Sequence, residues 1–410
     1  MSPTATASPD RLPIAADLAL RGTAVLPQGT VPDAVVLIAG SEILWAGPQV
    51  AAPRFEAAEQ IEHDGLILPG LVDVHCHGGG GVSFPDCESA QDALTAVREH
   101  RSHGTTGLVA SLVTASPQTL EERVDMLTTL VDDGEIEAIH LEGPFISPAR
   151  KGAQNPAHIT EGDAALTTRL CERAHGAVAT MTVAPETEGF DAVVDALAAE
   201  GAVPSLGHTD ADSPTMSHGI QRARAALAHR GGRSVLPTAT HLFNGMRPIH
   251  HRDPGPALAA LDAAARGEIL VELIADGVHV AAETVDHVFA IAAEDHVVLI
   301  TDAMAAAGMP DGRYSLGALD VTVEKGVARL TDGGSIAGGT AHLLDVVRFA
   351  VLEAGVDLTR AVRAASLVPA RVLGREQEIG ALRTGLRADV LLVDDALQPV
   401  RVLRAGQDVQ

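Results

Sequence analysis

The stretch Leu66-Ile67-Leu68-Pro69-Gly70-Leu71-Val72-Asp73-Val74-His75-Cys76-His77 decides the fold. It is an apolar run that ends in two histidines one residue apart. Alternate residues of a strand share a face, so both imidazoles point the same way, just past the strand end, into whatever lies above a parallel sheet. Two imidazoles on one face can hold a divalent metal. Alone, the pair reads as well as a chance or satisfied core pair, so its meaning depends on the other strand ends.

Seven further apolar runs of β type follow: Gly107–Val113, Ala138–Leu141, Ala179–Ala184, Val203–Leu206, Thr238–Phe243, Ile269–Ile274 and Val297–Ile300. Helical patterns fill most gaps, for example Ala90–His103, Leu120–Leu130, Asp191–Ala199 and Glu283–Ala293. Eight alternating units predict an α/β chain folded as a (β/α)8 TIM-like barrel. The rival, a doubly wound open sheet, would put a ligand in one crevice and not around a ring.

The two ends have a different texture. Residues 13–65 and 375–410 read as short strands and turns, such as Ala34–Ile38, Glu42–Ala46 and Ala388–Val393. They predict a small β-sandwich domain built from both termini, with the barrel inserted as residues 66–374. A β-rich insert at about 312–338 follows the eighth strand, and residues 1–12, rich in Pro, Ser, Thr and Ala, read as disordered.

With 410 residues, 46% of them hydrophobic, the chain can bury a sizeable core. A net charge of −25 argues against nucleic-acid and anionic-membrane partners. No apolar run is long enough to span a bilayer, and no basic segment precedes an apolar one at the N-terminus. Three cysteines, Cys76, Cys87 and Cys171, make no framework of pairs, which fits a reducing cytoplasm. Only two lysines occur, Lys151 and Lys325.

Catalytic residues of a barrel gather at the C-terminal ends of its strands. Here those ends carry His75 and His77, then His140-Leu141-Glu142, Gly207-His208, Thr240-His241, Asp276-Gly277-Val278-His279 and Thr301-Asp302. Each has a bland reading: Glu142 or Asp302 as a helix cap, Asp276-Gly277 as a turn. Their recurrence around one rim predicts a metal site.

These segments, together with Leu68-Pro69-Gly70-Leu71-Val72-Asp73-Val74-His75, Lys151-Gly152-Ala153-Gln154-Asn155-Pro156 and Thr240-His241-Leu242-Phe243-Asn244-Gly245-Met246, resemble the amidohydrolase superfamily and, within it, the N-acetylglucosamine-6-phosphate deacetylases. They run in that family's order over nearly the whole chain. The resemblance implies hydrolysis of the acetamide of a phosphorylated N-acetyl amino sugar. It also implies one or two divalent ions per subunit, Zn²⁺ foremost, with Fe²⁺, Co²⁺ and Mn²⁺ as alternatives. Glu142, His208 and His241 would hold one ion. His75 and His77, with Glu142 bridging, would hold a second. Asp302 would be the catalytic aspartate and a further metal ligand.

Many amidohydrolases bridge two metals with a lysine at a strand end. Lys151 lies in a loop and Lys325 in the insert, so the carboxylate of Glu142 is the remaining bridge. The resemblance further implies that Asn244, Gly245, His279 and Arg252 bind the sugar phosphate. Arg252 would reach a neighbouring subunit's site, hence a homodimer. One departure stands out: Gln154 occupies a position where the family can carry a histidine that polarises the substrate carbonyl. A neutral amide donates a hydrogen bond but brings no positive charge. A galactosamine-epimer deacetylase, an amidohydrolase of cyclic amides and a non-catalytic sugar sensor are the competing readings.

Overall fold

A computed structural model of the chain describes residues 13–230 and 232–409. The expectation of disorder over residues 1–12 lies outside them. The central sheet has eight parallel strands in sequential order. We number them β1 (Leu71–Cys76), β2 (Thr105–Leu112), β3 (Ala138–Glu142), β4 (Val178–Val183), β5 (Val203–Leu206), β6 (Thr238–Ala239), β7 (Leu270–Leu273) and β8 (Val297–Leu299). Helices such as Ala90–Ser102, Pro117–Asp132 and Ala282–Ile291 follow individual strands. This is the (β/α)8 barrel expected from the alternation.

The ring closes beyond the end of β8. Asp302 N–H donates to the His75 carbonyl at 2.9 Å and His77 N–H to the Ala303 carbonyl at 2.7 Å. Between them Thr301 Oγ1 donates to the Asp73 carboxylate at 2.6 Å. Asp73 is fully buried, and that burial raises its pKa to about 6 against the hydrogen bonds that favour its charge. The same closure fixes the backbone of His75, His77 and Asp302 against one another.

Alternation along the strands explains how an apolar floor carries a polar rim. Val109, Ala138, Leu270 and Ile300 belong to one buried cluster. Two residues further along each strand or its extension, on the same face, come Ser111, His140, Glu272 and Asp302. Above the floor, His140 Nε2 lies 3.0 Å from Thr182 Oγ1, which is 2.8 Å from Thr240 Oγ1, itself 2.6 Å from Ser205 Oγ. This chain satisfies the buried hydroxyls beneath the rim.

The termini form a second sheet of seven strands, with apolar clusters that include Leu20, Val36 and Val390 in one and Ala19, Val35 and Leu37 in another. It fits the small β-sandwich read from the ends. Two differences from the sequence reading have clear causes. The run that opens at Leu66 is not one strand: residues 66–69 end the long strand Phe55–Pro69, where Leu68 pairs with Leu391 of the C-terminal strand Val390–Val393. The chain enters the barrel after Gly70, where a Cβ would lie 2.2 Å from Thr106 Oγ1. Nor is Thr238–Phe243 all strand. The ladder stops at Ala239 and the following residues form a turn. The insert after β8 is a three-stranded antiparallel sheet over Gly312–Leu330.

Candidate metal centre and active-site cavity

At the rim, four imidazoles converge on one buried carboxylate. Glu142 Oε1 lies 2.9 Å from His241 Nε2, 3.1 Å from His208 Nε2 and 3.5 Å from His75 Nε2. Its other oxygen lies 3.3 Å from His77 Nε2. Asp302 Oδ1 is 3.4 Å from His75 Nε2 and 3.3 Å from His77 Nε2. The ring nitrogens also face each other in pairs: His75 and His77 at 3.1 Å, His208 and His241 at 3.2 Å. Two ligand-type groups result, His75–His77–Glu142 and Glu142–His208–His241, sharing Glu142.

The outer nitrogens show what these contacts require. His75 Nδ1 lies 3.0 Å from Glu272 Oε2, His77 Nδ1 3.2 Å from the Ser111 carbonyl and His208 Nδ1 2.8 Å from the Arg150 carbonyl. Each of those acceptors takes an Nδ1–H, which leaves the Nε2 lone pair aimed at carboxylate oxygens. Lone pair against carboxylate is repulsive unless a positive charge lies between them. Either extra protons or a divalent ion supplies it. Without an ion, His77 titrates as if protons did: burial pulls its pKa down, but Asp302 and Glu142 outweigh that and raise it to about 10. The His208 pKa is likewise raised by Glu142 against the effect of burial. Burial works against the charge of Glu142 too, yet the imidazoles, His208 first, hold its pKa well below the usual carboxylate range. An all-imidazole and carboxylate set of this kind suits a divalent transition metal.

Local backbone conformation aims the ligands. His208, His241 and Asp302 have φ of 46°, 27° and 49°, in the left-handed region that residues with a Cβ rarely adopt. Such strain concentrates where surrounding structure over-determines a side chain's direction. Gly245 lets the next loop lie against His208; a Cβ there would sit 2.9 Å from His208 Nδ1.

A cavity of about 340 Å³ opens over the cluster. Its lining includes His77, Glu142, His208, His241 and Asp302, together with Gln154, Asn244, Gly245 and His279. Leu316, Ser335 and Ile336 of the insert form part of the wall. His279 Nδ1 lies 2.7 Å from the Asp276 carboxylate. Asp276 raises the His279 pKa against the opposing effect of burial, which favours the charged form of the ring. Gln154 is committed on both sides: its Nε2 donates to Glu142 Oε2 at 2.5 Å and its Oε1 accepts from Thr114 N–H at 2.7 Å. Two expected site residues do not line this cavity: His75, which lies buried beneath it at 3.1 Å from His77, and Arg252. Arg252 is exposed, with Nη1 2.8 Å from His251 Nε2.

Glu272 was not anticipated from the sequence. It is a buried carboxylate in β7 that takes the His75 Nδ1 proton and the His241 N–H, the latter at 3.2 Å. The signal was a lone charge inside the apolar run Ile269-Leu270-Val271-Glu272-Leu273-Ile274. Replacing Glu272 with Gln keeps the shape but weakens the grip on His75. We expect metal affinity to fall by about 10- to 100-fold, as is typical when a ligand's supporting partner is lost. Unchanged metal content in a competition with a chelator would refute this role.

A model of the amidohydrolase family matches residues 66–408. The chain is 34% identical to the N-acetylglucosamine-6-phosphate deacetylase of Bos taurus, over 92% of this chain and 90% of that protein. It is also 34% identical to the N-acetylgalactosamine-6-phosphate deacetylase of Escherichia coli O157:H7, over 83% and 87%. Among solved structures it resembles a mutant N-acetyl-D-glucosamine-6-phosphate deacetylase from Mycobacterium smegmatis in complex with N-acetyl-D-glucosamine-6-phosphate. That similarity has a TM-score of 0.87 at 38% identity and covers 96% and 99% of the two chains. The barrel, its rim of histidines and carboxylates and these likenesses agree: the chain belongs to the amidohydrolase family, in its branch of N-acetyl amino-sugar 6-phosphate deacetylases.

Proposed function

We propose that the chain hydrolyses the acetamide of N-acetyl-D-glucosamine 6-phosphate to glucosamine 6-phosphate and acetate, in amino-sugar catabolism and cell-wall sugar recycling. One observation carries the reading: His77, Glu142, His208 and His241, together with Asp302 and the imidazole of His279, line the same cavity. Hydrolysis and recognition of an anionic group are thus served within one small volume. When bound, a divalent ion, Zn²⁺ in this reading, supplies a Lewis acid and a water of lowered pKa.

Glu142 and the four histidines would hold the ion or ions, one or two per subunit. The Asp302 pKa is kept low by His77 and His75 against the effect of burial, so the side chain starts as a carboxylate. In this reading it accepts the proton of the attacking water and returns it to the departing sugar nitrogen. Gln154 has one N–H on Glu142 and a second left to face the substrate carbonyl. His279, Asn244 and Gly245 receive the phosphate, whose binding energy positions the amide.

Acetate release from a panel of N-acetyl sugars, with and without a 6-phosphate, tests the proposal. Release only from unphosphorylated or cyclic amides would overturn it. The galactosamine epimer is the second reading, favoured by the Escherichia coli relative.

We further propose a cytoplasmic homodimer. The three cysteines are all buried and unpaired. Arg252 projects from the exposed segment His250-His251-Arg252, which suits a reach into a neighbouring cavity. Replacing His279 or Arg252 should raise KM for the phosphorylated sugar about 10-fold or more, since each removes a charge-assisted phosphate contact. Mixing Arg252→Ala subunits with Asp302→Asn subunits should restore part of the activity, because a heterodimer holds one site with both residues native. No recovery in mixtures shown to exchange subunits would place Arg252 on its own chain's site or away from substrate.

A further inference from the structure

Two segments of the insert after β8 reach the active-site cavity. Leu316 ends the strand Gly312–Leu316, at the tip of its hairpin with Leu319–Glu324. Ser335 and Ile336 follow the insert's last strand, Val327–Leu330. All three line the cavity, as does Ala153. The rest of the lining is ionic, polar or glycine. Among the described residues, Ala153, Leu316 and Ile336 therefore supply its only apolar side chains.

The tip of the hairpin is tied down. Asp86, in the turn before helix Ala90–Ser102, accepts the Gly317 N–H at 3.1 Å and the Ser315 hydroxyl at 3.3 Å through one carboxylate oxygen. These two donors flank Leu316. Gly317 has φ of 57°, and a Cβ on it would lie 2.9 Å from Val113 Cγ2, just past the end of β2. Glycine permits both the conformation and the close approach. Leu316 is 3% exposed, in a buried cluster with Val113 and Met304, and Ala153 packs against that cluster. An apolar wall thus stands at a fixed place beside the metal-type ligands, and one carboxylate sets the position of its tip.

The deacetylase reading, on which this inference rests, says what such a wall meets. The substrate's hydroxyls and phosphate are polar, and its acyl methyl is its apolar terminus. That methyl is one bond from the carbonyl carbon, so its pocket adjoins whatever faces the carbonyl oxygen. In that reading Gln154 faces it, and Ala153 is the neighbouring residue. We infer that Leu316 and Ile336 size the acyl group of the substrate, and that Asp86 is the positioning residue that holds Leu316 in that wall. The consequence is a preference for short acyl chains. One methylene in an apolar pocket of fixed size is worth about 10- to 200-fold in kcat/KM.

Acyl release by the full-length chain from N-formyl-, N-acetyl-, N-propionyl- and N-butyrylglucosamine 6-phosphate provides the test. Wild type should lose about 10-fold or more in kcat/KM with each methylene beyond acetyl. Ile336 is half-buried, and Ile336→Ala should narrow the acetyl-to-butyryl ratio by about 10-fold or more. Asp86→Ala should narrow it as well, by loosening Leu316. Asp86→Asn, whose amide oxygen still accepts both hydrogen bonds, should keep the wild-type profile. An unchanged profile in Ile336→Ala overturns the wall, as does a wild type indifferent to chain length. An unchanged profile in Asp86→Ala, or a uniform fall for every chain length, overturns the positioning role, because a merely structural loss spares no substrate. No acyl release by wild type from any of the four would instead overturn the deacetylase reading itself, and this inference with it.

Discussion

Asp302→Asn should fold, keep its metal and lose turnover by about 10²- to 10⁴-fold, the usual contribution of a positioned acid–base group. The backbone role of the residue survives the change. Its N–H still donates to the His75 carbonyl and its carbonyl still accepts from Gly339. Asn also tolerates the left-handed conformation found there. What is lost, in the mechanism proposed above, is the ability to take a proton from water and hand it to the leaving nitrogen. Measured as kcat for acetate release at saturating metal, a value near wild type would remove Asp302 from the proton path. A fall confined to KM would do the same, since it would mark a binding role.

The second large effect is expected at Glu142. Its carboxylate is the common partner of His75, His77, His208 and His241 and the acceptor from Gln154. Glu142→Ala removes the carboxylate that faces all four Nε2 atoms and leaves Asp302 facing those of His75 and His77. Elemental analysis after dialysis should find metal content reduced to a small fraction of wild type, and kcat/KM should fall by about 10³-fold or more. Protons and metal compete for the same nitrogens, and the metal-free His77 pKa stands at about 10. At fixed free Zn²⁺, wild-type metal content should therefore drop as pH falls through the neutral range. Full metal retention in Glu142→Ala, or metal content independent of pH, would show that the ion is held elsewhere.

The barrel was legible in the sequence because its strands are short apolar runs and their ends carry polar residues that no core would tolerate unpaired. His75, His77, Glu142, His208, His241 and Asp302 stand out for that reason, and the structure brings them together in one cluster at the barrel rim. Strand lengths were harder to read. The apolar stretch through Phe243 looks like a strand, but its end is a turn whose residues are buried by the barrel and not by a ladder. The terminal sheet has long strands, Ile14–Leu26 and Phe55–Pro69, that the sequence breaks into short pieces. A register shift at Gly22 interrupts their alternation while pairing continues on both sides.

Partners distant in sequence that stand outside the family's motifs were not legible. Glu272 meets His75 across 197 positions, and His342 meets Glu99 across 243. Spacing along a chain says nothing about such pairs; only the closed ring brings them together. Gln154 was read as a substitute for a histidine facing substrate. Its two hydrogen bonds, donated to Glu142 and accepted from Thr114 N–H, could not be foreseen from residue type.

The left-handed backbone at His208 and His241 has a consequence for how this chain ages in evolution. A residue with a Cβ held in that conformation costs about 1–2 kcal/mol, which glycine would relieve. Purifying selection for turnover is the force that opposes that relief. A lineage released from the need for deacetylation would be drawn downhill toward glycine or asparagine at these two positions, while the apolar floor stayed as it was. Decay of the enzyme would thus begin at these two histidines, with the barrel left standing beneath them.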